Sequence, residues 1–286
     1  MTPDPTPDPS TPAALHFVLE VERFYAALIQ FADSSLEWDA GVAPGLGGTL
    51  FYAGELNPQV RALLIAANIA GAASLAVTAD SAAQKQAIRD GVADFLVNSV
   101  DEALRILKNE VRKREAVAVC IAADPQAVER EMLERGVLPD LLPPFVPPSA
   151  SPFAFGQGVP RVEPSPAPAS QSLVTWRVAS APVQWLPKLD ALFIDYLHAL
   201  PGPQASAGRN WLRLSPRYLG RLAQGIRVLH CAPDAAREFI ARAQNAVDRG
   251  EIPVYVEIRL NDEEIFLFHP SPTLPANRHH SPGAQS

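Results

Sequence analysis

Short apolar runs alternate with amphipathic stretches over the first half of the chain. Between residues 15 and 33, apolar side chains recur every three or four positions, which predicts a helix. Four later apolar runs are typical of strands buried in a sheet, and they lie at 49–53, 74–80, 94–99 and 116–122. Helical stretches follow these runs, at 58–69, 82–89, 100–114 and 125–135. This alternation predicts βαβ units, a parallel sheet and right-handed crossovers.

Two boundaries of these helices carry local signatures of their own. Ser99 precedes one helix, and Glu102 follows three positions later, which is the capping-box pattern. Gly136 stands where the next helix is expected to end in a left-handed residue. The pattern therefore fixes one helix start and one helix end as well as the elements themselves.

The second half of the chain predicts an α+β arrangement instead. Strands are expected at 175–180, 254–260 and 264–269, helices at 187–200 and 233–249, and a mixed segment at 209–229. Only Asn261, Asp262 and Glu263 separate the last two strands, so these strands are expected to form a hairpin.

Proline marks the expected boundaries between these regions. Its 29 residues concentrate near the start, around 139–168 and after residue 270, where regular elements cannot pack. The predicted organisation is a disordered arm, an α/β domain, a proline-rich linker, a small α+β domain and a disordered tail, at 1–14, 15–142, 143–172, 173–269 and 270–286.

Charge and cysteine content exclude several classes of partner. The net charge of −7 comes from scattered acids, so the chain lacks a basic field for nucleic acid or an anionic membrane surface. Its two cysteines lie far apart in apolar runs, which fits a reducing compartment. The first dozen residues lack the pattern of a secretory signal, and no stretch reaches eighteen consecutive apolar residues. We therefore expect a cytoplasmic protein.

The run LFYAGELNPQVRALLIAANIAGAASLAVTAD at 50–80 resembles the Rossmann-like NAD-binding domain of the urocanate hydratase (urocanase) family. The similarity continues without a gap to 91–94, through SVDEAL at 99–104, and to ERGVLPDLL at 134–142. It covers about 45–142. The resemblance implies an α/β fold with a Rossmann-like parallel sheet and flanking helices, beside the smaller α+β domain. It also implies an NAD site at Gly54, Leu56, Arg61 and Asp80.

The first βα turn departs from the family pattern at the positions that bind phosphate. A dinucleotide turn needs glycines because the backbone must approach the pyrophosphate closely. The family's glycines are replaced here at Glu55, Asn57, Pro58, Val60 and Arg61, which leaves Gly54. Among these, Arg61 alone could bind a phosphate. Asp80 could hydrogen-bond a ribose, or it could cap the following helix.

These departures favour a non-catalytic binding or interaction module with a degenerate NAD site. We expect no cofactor or weak binding, with NAD bound only if the family site is retained. Expected partners are another protein, a second copy of the chain or a small molecule. A polar family signature that follows the PDLV-like run is replaced by PPFVPPSASP at 143–152. The alternative is a urocanate hydratase-like lyase of histidine degradation that uses bound NAD, either alone or completed by a partner subunit.

Other candidate residues favour structural roles on sequence grounds. His230 and Cys231 are adjacent on an expected strand, so their side chains should point to opposite faces and not form a catalytic pair. His279 and His280 lack ligand partners at metal-binding spacing. The densest basic and aromatic run is interpreted as a solvated helical stripe, or as an anion or partner site; its arginines are Arg209, Arg213, Arg217 and Arg221.

Overall fold

A computed structural model describes residues 12–35, 45–145, 152–153, 158–162 and 170–270. The first half contains α1 (Pro12–Ser35), β1 (Leu50–Glu55), α2 (Pro58–Ala70), β2 (Ala73–Val77), α3 (Ser81–Arg89), β3 (Phe95–Val97), α4 (Val100–Lys113), β4 (Val117–Ile121) and α5 (Pro125–Glu134). The second half contains β5 (Ser172–Val178), α6 (Pro182–His198), α7 (Pro203–Leu219), a 3₁₀ turn (Gly220–Gln224), β6 (Arg227–Cys231), α8 (Pro233–Asp248), β7 (Val256–Leu260) and β8 (Glu264–Phe268).

The first sheet is parallel, and helices cover both of its faces. Its strand order is β1-β2-β4-β3, with β2 and β4 fully buried. Ala76 and Cys120 join the core formed with α1 and α2, whereas Leu75 and Val119 join the core formed with α4 and α5. This alternation follows from the two-residue period of a strand. The predicted Rossmann-like architecture is confirmed.

The strand order places a topological switch point at the carboxyl edge of this sheet. The chain moves in one direction from β1 to β2 to β3, and β4 then inserts between β2 and β3. The helix after β2 contributes to the core of α2, and the helix after β4 contributes to the opposite core. Two neighbouring strands whose helices leave towards opposite faces mark the place where doubly wound sheets bind ligands. That place lies between the ends of β2 and β4.

The second sheet is antiparallel and carries helices α6 and α8 against an aromatic core. Its strand order is β6-β5-β7-β8. Phe193 and Phe239 stack with their ring centroids 4.3 Å apart, and Trp176 packs against both rings. The predicted hairpin joins β7 and β8, and Asn261 and Asp262 take positive φ values in its turn, as residues of this kind tolerate.

The two halves share one apolar core. Helix α1 packs along α2 and also contacts α7 and β6, while α2 packs against α7. The hydroxyl of Tyr25 on α1 donates a hydrogen bond to the carbonyl of Ala207 on α7 over 2.9 Å. The first helix therefore ties the parallel sheet to the antiparallel half.

Several boundaries differ from the sequence prediction. Helix α1 includes residues 12–14, which the sequence assigned to a disordered arm. Helix α6 begins at Pro182, five residues early, so Pro187 lies inside the helix and not at its start. Parts of the proline-rich segment pack onto the first half, where Phe153 is fully buried against Tyr52. The remainder of that segment, and the predicted tail beyond Pro270, lie outside the described residues.

None of the described helices has both the length and the apolar character that a membrane span requires.

Candidate functional site

Four helices begin at the carboxyl edge of the parallel sheet, and each start is capped by a side chain from its own segment. Asn57 Oδ1 accepts from the Val60 N–H at 2.9 Å, and Asp124 Oδ2 accepts from the Ala127 N–H at 2.9 Å. Ser99 Oγ accepts from the Glu102 N–H at 3.3 Å, which confirms the predicted start of α4. These side chains occupy donors that helix starts otherwise present to anions.

Asp80 caps the remaining helix of this edge. Its Oδ1 accepts from the Ala82 N–H at 2.8 Å, so the capping role suggested by the sequence is present. Its own N–H donates to the Thr78 hydroxyl at 3.2 Å, within the loop that leaves β2. Asp80 and Asp124 are both exposed and lie shortly after the ends of β2 and β4, so the switch point between these strands carries negative charge.

The first βα turn places Gly54 and Leu56 differently. Gly54 has φ +81 at a bulge in the pairing of β1 with β2, a conformation that glycine adopts without strain. Leu56 is buried, and its N–H donates to the Val77 carbonyl at 2.9 Å. Glu55 lies between them and is exposed. The turn therefore exposes the Glu55 carboxylate to solvent. The Leu56 N–H that follows is already hydrogen-bonded to the Val77 carbonyl.

Arg61 lies on the first turns of α2 and pairs with a carboxylate of the protein itself. Its Nη2 forms an ion pair with Asp90, which caps the end of α3 and also accepts from the Gln86 amide at 2.8 Å. The Arg61 side chain is only 18% exposed. Arg61, the residue of this turn that the sequence analysis considered for phosphate binding, is thus already paired with Asp90.

The sheet order, the helices on both faces and the helix starts gathered at the carboxyl edge define a Rossmann-like α/β domain. More particularly, residues 27–144 match the family model of the urocanase Rossmann-like domain. This segment is therefore similar to the urocanase Rossmann-like domain, and the resemblance noted in the sequence is confirmed. The match includes the end of α1, which the sequence resemblance left out.

A second site, which the sequence did not predict, lies where α1, α7 and β6 meet. A cavity of about 440 Å³, called here the α1–α7–β6 cavity, is lined by polar side chains that include Arg23, Gln30, Gln204 and His230. Glu22 in its wall is 3% exposed, and its Oε2 lies 2.6 Å from His230 Nδ1. Its Oε1 accepts from the His230 backbone N–H at 3.3 Å. Since these residues are 208 positions apart, no local pattern indicates the pair.

The pair with Glu22 controls the ionisation of His230. Burial alone would lower the pKa of His230, but the hydrogen bond and the negative charge of Glu22 outweigh it, so the pKa is raised above its ordinary value. The positive charge of Arg23 opposes this rise. The neighbouring Cys231 is a buried free thiol whose pKa is raised by burial to about 12, so it is not a reactive nucleophile.

The remaining sequence candidates occupy structural positions. Arg209 donates to the Leu197 carbonyl at 2.5 Å, and Arg217 lies over the ring of Tyr218. The exposed Arg213 pairs with Asn210 on the same helix, as expected for a solvated stripe. His279 and His280 lie outside the described residues.

Proposed function

We propose that the urocanase-family Rossmann domain of this chain is a non-catalytic binding or interaction module whose ancestral NAD site has degenerated. The observation that carries the proposal is the first βα turn, where the N–H groups of Leu56 and Val60 and the guanidinium of Arg61 are engaged within the protein. The two buried free thiols fit a cytoplasmic setting, where such thiols stay reduced.

The hydrogen bonds of the turn support this proposal. The N–H of Leu56 is bonded to Val77, that of Val60 to Asn57, and Pro58 has none. A pyrophosphate at this turn would have to break the bond to Val77, which is part of the sheet edge, or displace the helix cap. Either change costs hydrogen bonds that stabilise the fold.

The charges at the carboxyl edge support it as well. Glu55, Asp80 and Asp124 are exposed carboxylates, and Arg61 is neutralised by Asp90. A dianionic pyrophosphate would therefore enter a negative region without a free cation from this turn, so these residues do not fit NAD. The same edge suits a partner that presents a cationic group to the switch point between β2 and β4.

Binding of NAD to the purified full chain tests the proposal directly. Mass spectrometry of the purified protein should detect no co-purified dinucleotide, and calorimetry should give an NAD dissociation constant weaker than about 1 mM. Urocanate absorbance should stay constant with or without added NAD. Stoichiometric bound NAD, micromolar affinity or any urocanate turnover would overturn the proposal and favour the lyase.

A variant of Asp80 provides the matched control for this measurement. Asp80→Asn keeps an oxygen acceptor for the helix cap but removes the negative charge. If Asp80 has no part in ribose recognition, wild type and variant should give the same calorimetric trace. A difference in NAD affinity between them would show that the family position still takes part in binding.

A further inference from the structure

Glu22 orients the His230 imidazole towards the α1–α7–β6 cavity. Both carboxylate oxygens of the buried Glu22 are engaged by His230, one by Nδ1 and one by the backbone N–H. The bond at Nδ1 holds the imidazole ring in place and leaves Nε2 as its free polar atom. Within the part of the chain that the structure describes, Nε2 forms no hydrogen bond. The His230 side chain is 15% exposed and lines the cavity.

Two basic side chains, His230 and Arg23, line this end of the cavity. His230 is paired with the carboxylate of Glu22, and the guanidinium of the exposed Arg23 interacts with the carboxylate of Glu20 on the same helix. The positive end of the α7 dipole adds positive potential here, because α7 begins at the cavity and has no side-chain cap among the described residues. Asp33 also lines the cavity, ten residues further along α1 and about 15 Å from Arg23 along the helix axis.

The other walls fit a small organic molecule. Gln30, Gln171 and Gln204 offer amide groups from three different segments, while Ile29 and Leu229 offer apolar contact. A volume of about 440 Å³ lies within the range of small-molecule sites. A metal ion is a poorer fit, since the described residues hold no group of three or more His, Cys, Asp or Glu side chains suited to one.

We propose that the α1–α7–β6 cavity binds a small monocarboxylate, held by His230 Nε2 and the Arg23 guanidinium. Charge-assisted hydrogen bonds from an imidazolium and a guanidinium to a carboxylate are the strong kind. The glutamine amides would bind polar substituents of the ligand. This site uses none of the residues of the first βα turn, so it stands whatever the outcome of the NAD experiment.

Side-chain NMR of the histidines tests this proposal on the full chain. The protein has six histidines, and a His230→Gln variant assigns the His230 signal by its disappearance. Lactate is the probe, and lactamide is its neutral counterpart of similar shape. The Nε2 resonance of His230 should shift saturably with lactate and not with lactamide. Absence of a saturable shift, or an equal response to lactamide, would overturn the proposal.

Matched arginine variants test whether Arg23 binds the ligand or only stabilises the structure. Arg23 and Arg237 are both exposed helical arginines, and only Arg23 lines the cavity. Arg23→Gln should weaken lactate binding about tenfold or more, whereas Arg237→Gln should leave it unchanged. If both variants bind lactate as wild type does, or if both lose binding equally, the cavity is not the carboxylate site proposed here.

Discussion

The carboxyl edge of the parallel sheet and the antiparallel half satisfy their polar groups in opposite ways. At the carboxyl edge, Asn57 and Asp80 bond N–H groups two or three residues away. In the antiparallel half, Asp190 accepts from the Trp176 indole at 3.1 Å and from Arg227 Nε at 2.8 Å, and both donors come from other elements. The caps at the carboxyl edge stabilise individual helices, whereas the hydrogen bonds of Asp190 join separate elements of the antiparallel half.

This difference suggests where each region tolerates change. A local cap contributes about 1 kcal/mol and leaves a solvated helix end when it is lost. A buried charge that loses its partner stays buried, so the loss is several times larger. The antiparallel half should therefore be the more fragile to single polar substitutions, although it holds neither the family motif nor the predicted site.

The largest effect is expected from breaking the buried pair of Asp190 and Arg227. Asp190→Ala should lower the free energy of unfolding by about 3–5 kcal/mol, because Arg227 keeps its charge in a site where its side chain is 5% exposed. Urea denaturation measures the change. Asp195→Ala, an exposed acid on the same helix, is the control and should change stability by less than about 0.5 kcal/mol. Equal effects of the two substitutions would remove the distinction between the two regions.

The next largest effect concerns Glu22 and depends on pH. Glu22→Gln should cost about 1.5–3 kcal/mol near pH 6, where His230 is protonated and its hydrogen bond is charge-assisted. Because the pKa of His230 is raised in the folded protein, the extra stability is full below the unfolded value and is lost as pH rises through the folded value. The difference between wild type and variant should thus shrink as the pH rises above the ordinary histidine pKa of about 6.5.

Urea denaturation of both proteins at several pH values measures this dependence. Arg23 opposes the charge on His230, so Arg23→Gln should extend the protection to higher pH. A stability difference between wild type and Glu22→Gln that grows with pH would show that the imidazolium is not what Glu22 stabilises.

The same contrast explains what the sequence could and could not predict. The start of α4 at Ser99, the end of α5 at Gly136 and the turn at Asn261 depend on neighbouring residues, and the structure confirms them. The resemblance to the urocanase Rossmann-like domain predicted that the local elements assemble into one α/β domain. The insertion of β4 between β2 and β3 depends on the packing of the entire sheet, so the local pattern did not indicate it.

The α1–α7–β6 cavity lay beyond sequence inference for a related reason. Its pair joins Glu22 near one end of the chain to His230 near the other, and both residues look ordinary in their local context. Glu22 is one of three acids in an amphipathic helix, and His230 lies within a short apolar strand. What distinguishes them is burial and proximity, which exist only once α1 has packed against β6.

A smaller effect is expected at the cap of α3. Asp80→Ala should destabilise the protein by about 1 kcal/mol, because the Ala82 N–H loses its acceptor. Asp80→Asn retains an acceptor oxygen and should cost only a few tenths of a kcal/mol. Thermal or urea unfolding resolves the two variants. If Asn were as costly as Ala, the negative charge of Asp80 rather than its cap would be the stabilising feature.

The smallest effect is expected from Asn57→Gly, which restores a glycine to the first βα turn. Glycine is itself accepted at a helix start, so stability should fall by only a few tenths of a kcal/mol. The substitution frees the Val60 N–H but leaves Glu55 exposed and the Leu56 N–H bonded to Val77. Calorimetry with NAD should therefore detect no binding to the variant. A measurable affinity gained from this single change would mean that the Asn57 cap alone blocks the site, and that the remaining turn still fits a pyrophosphate.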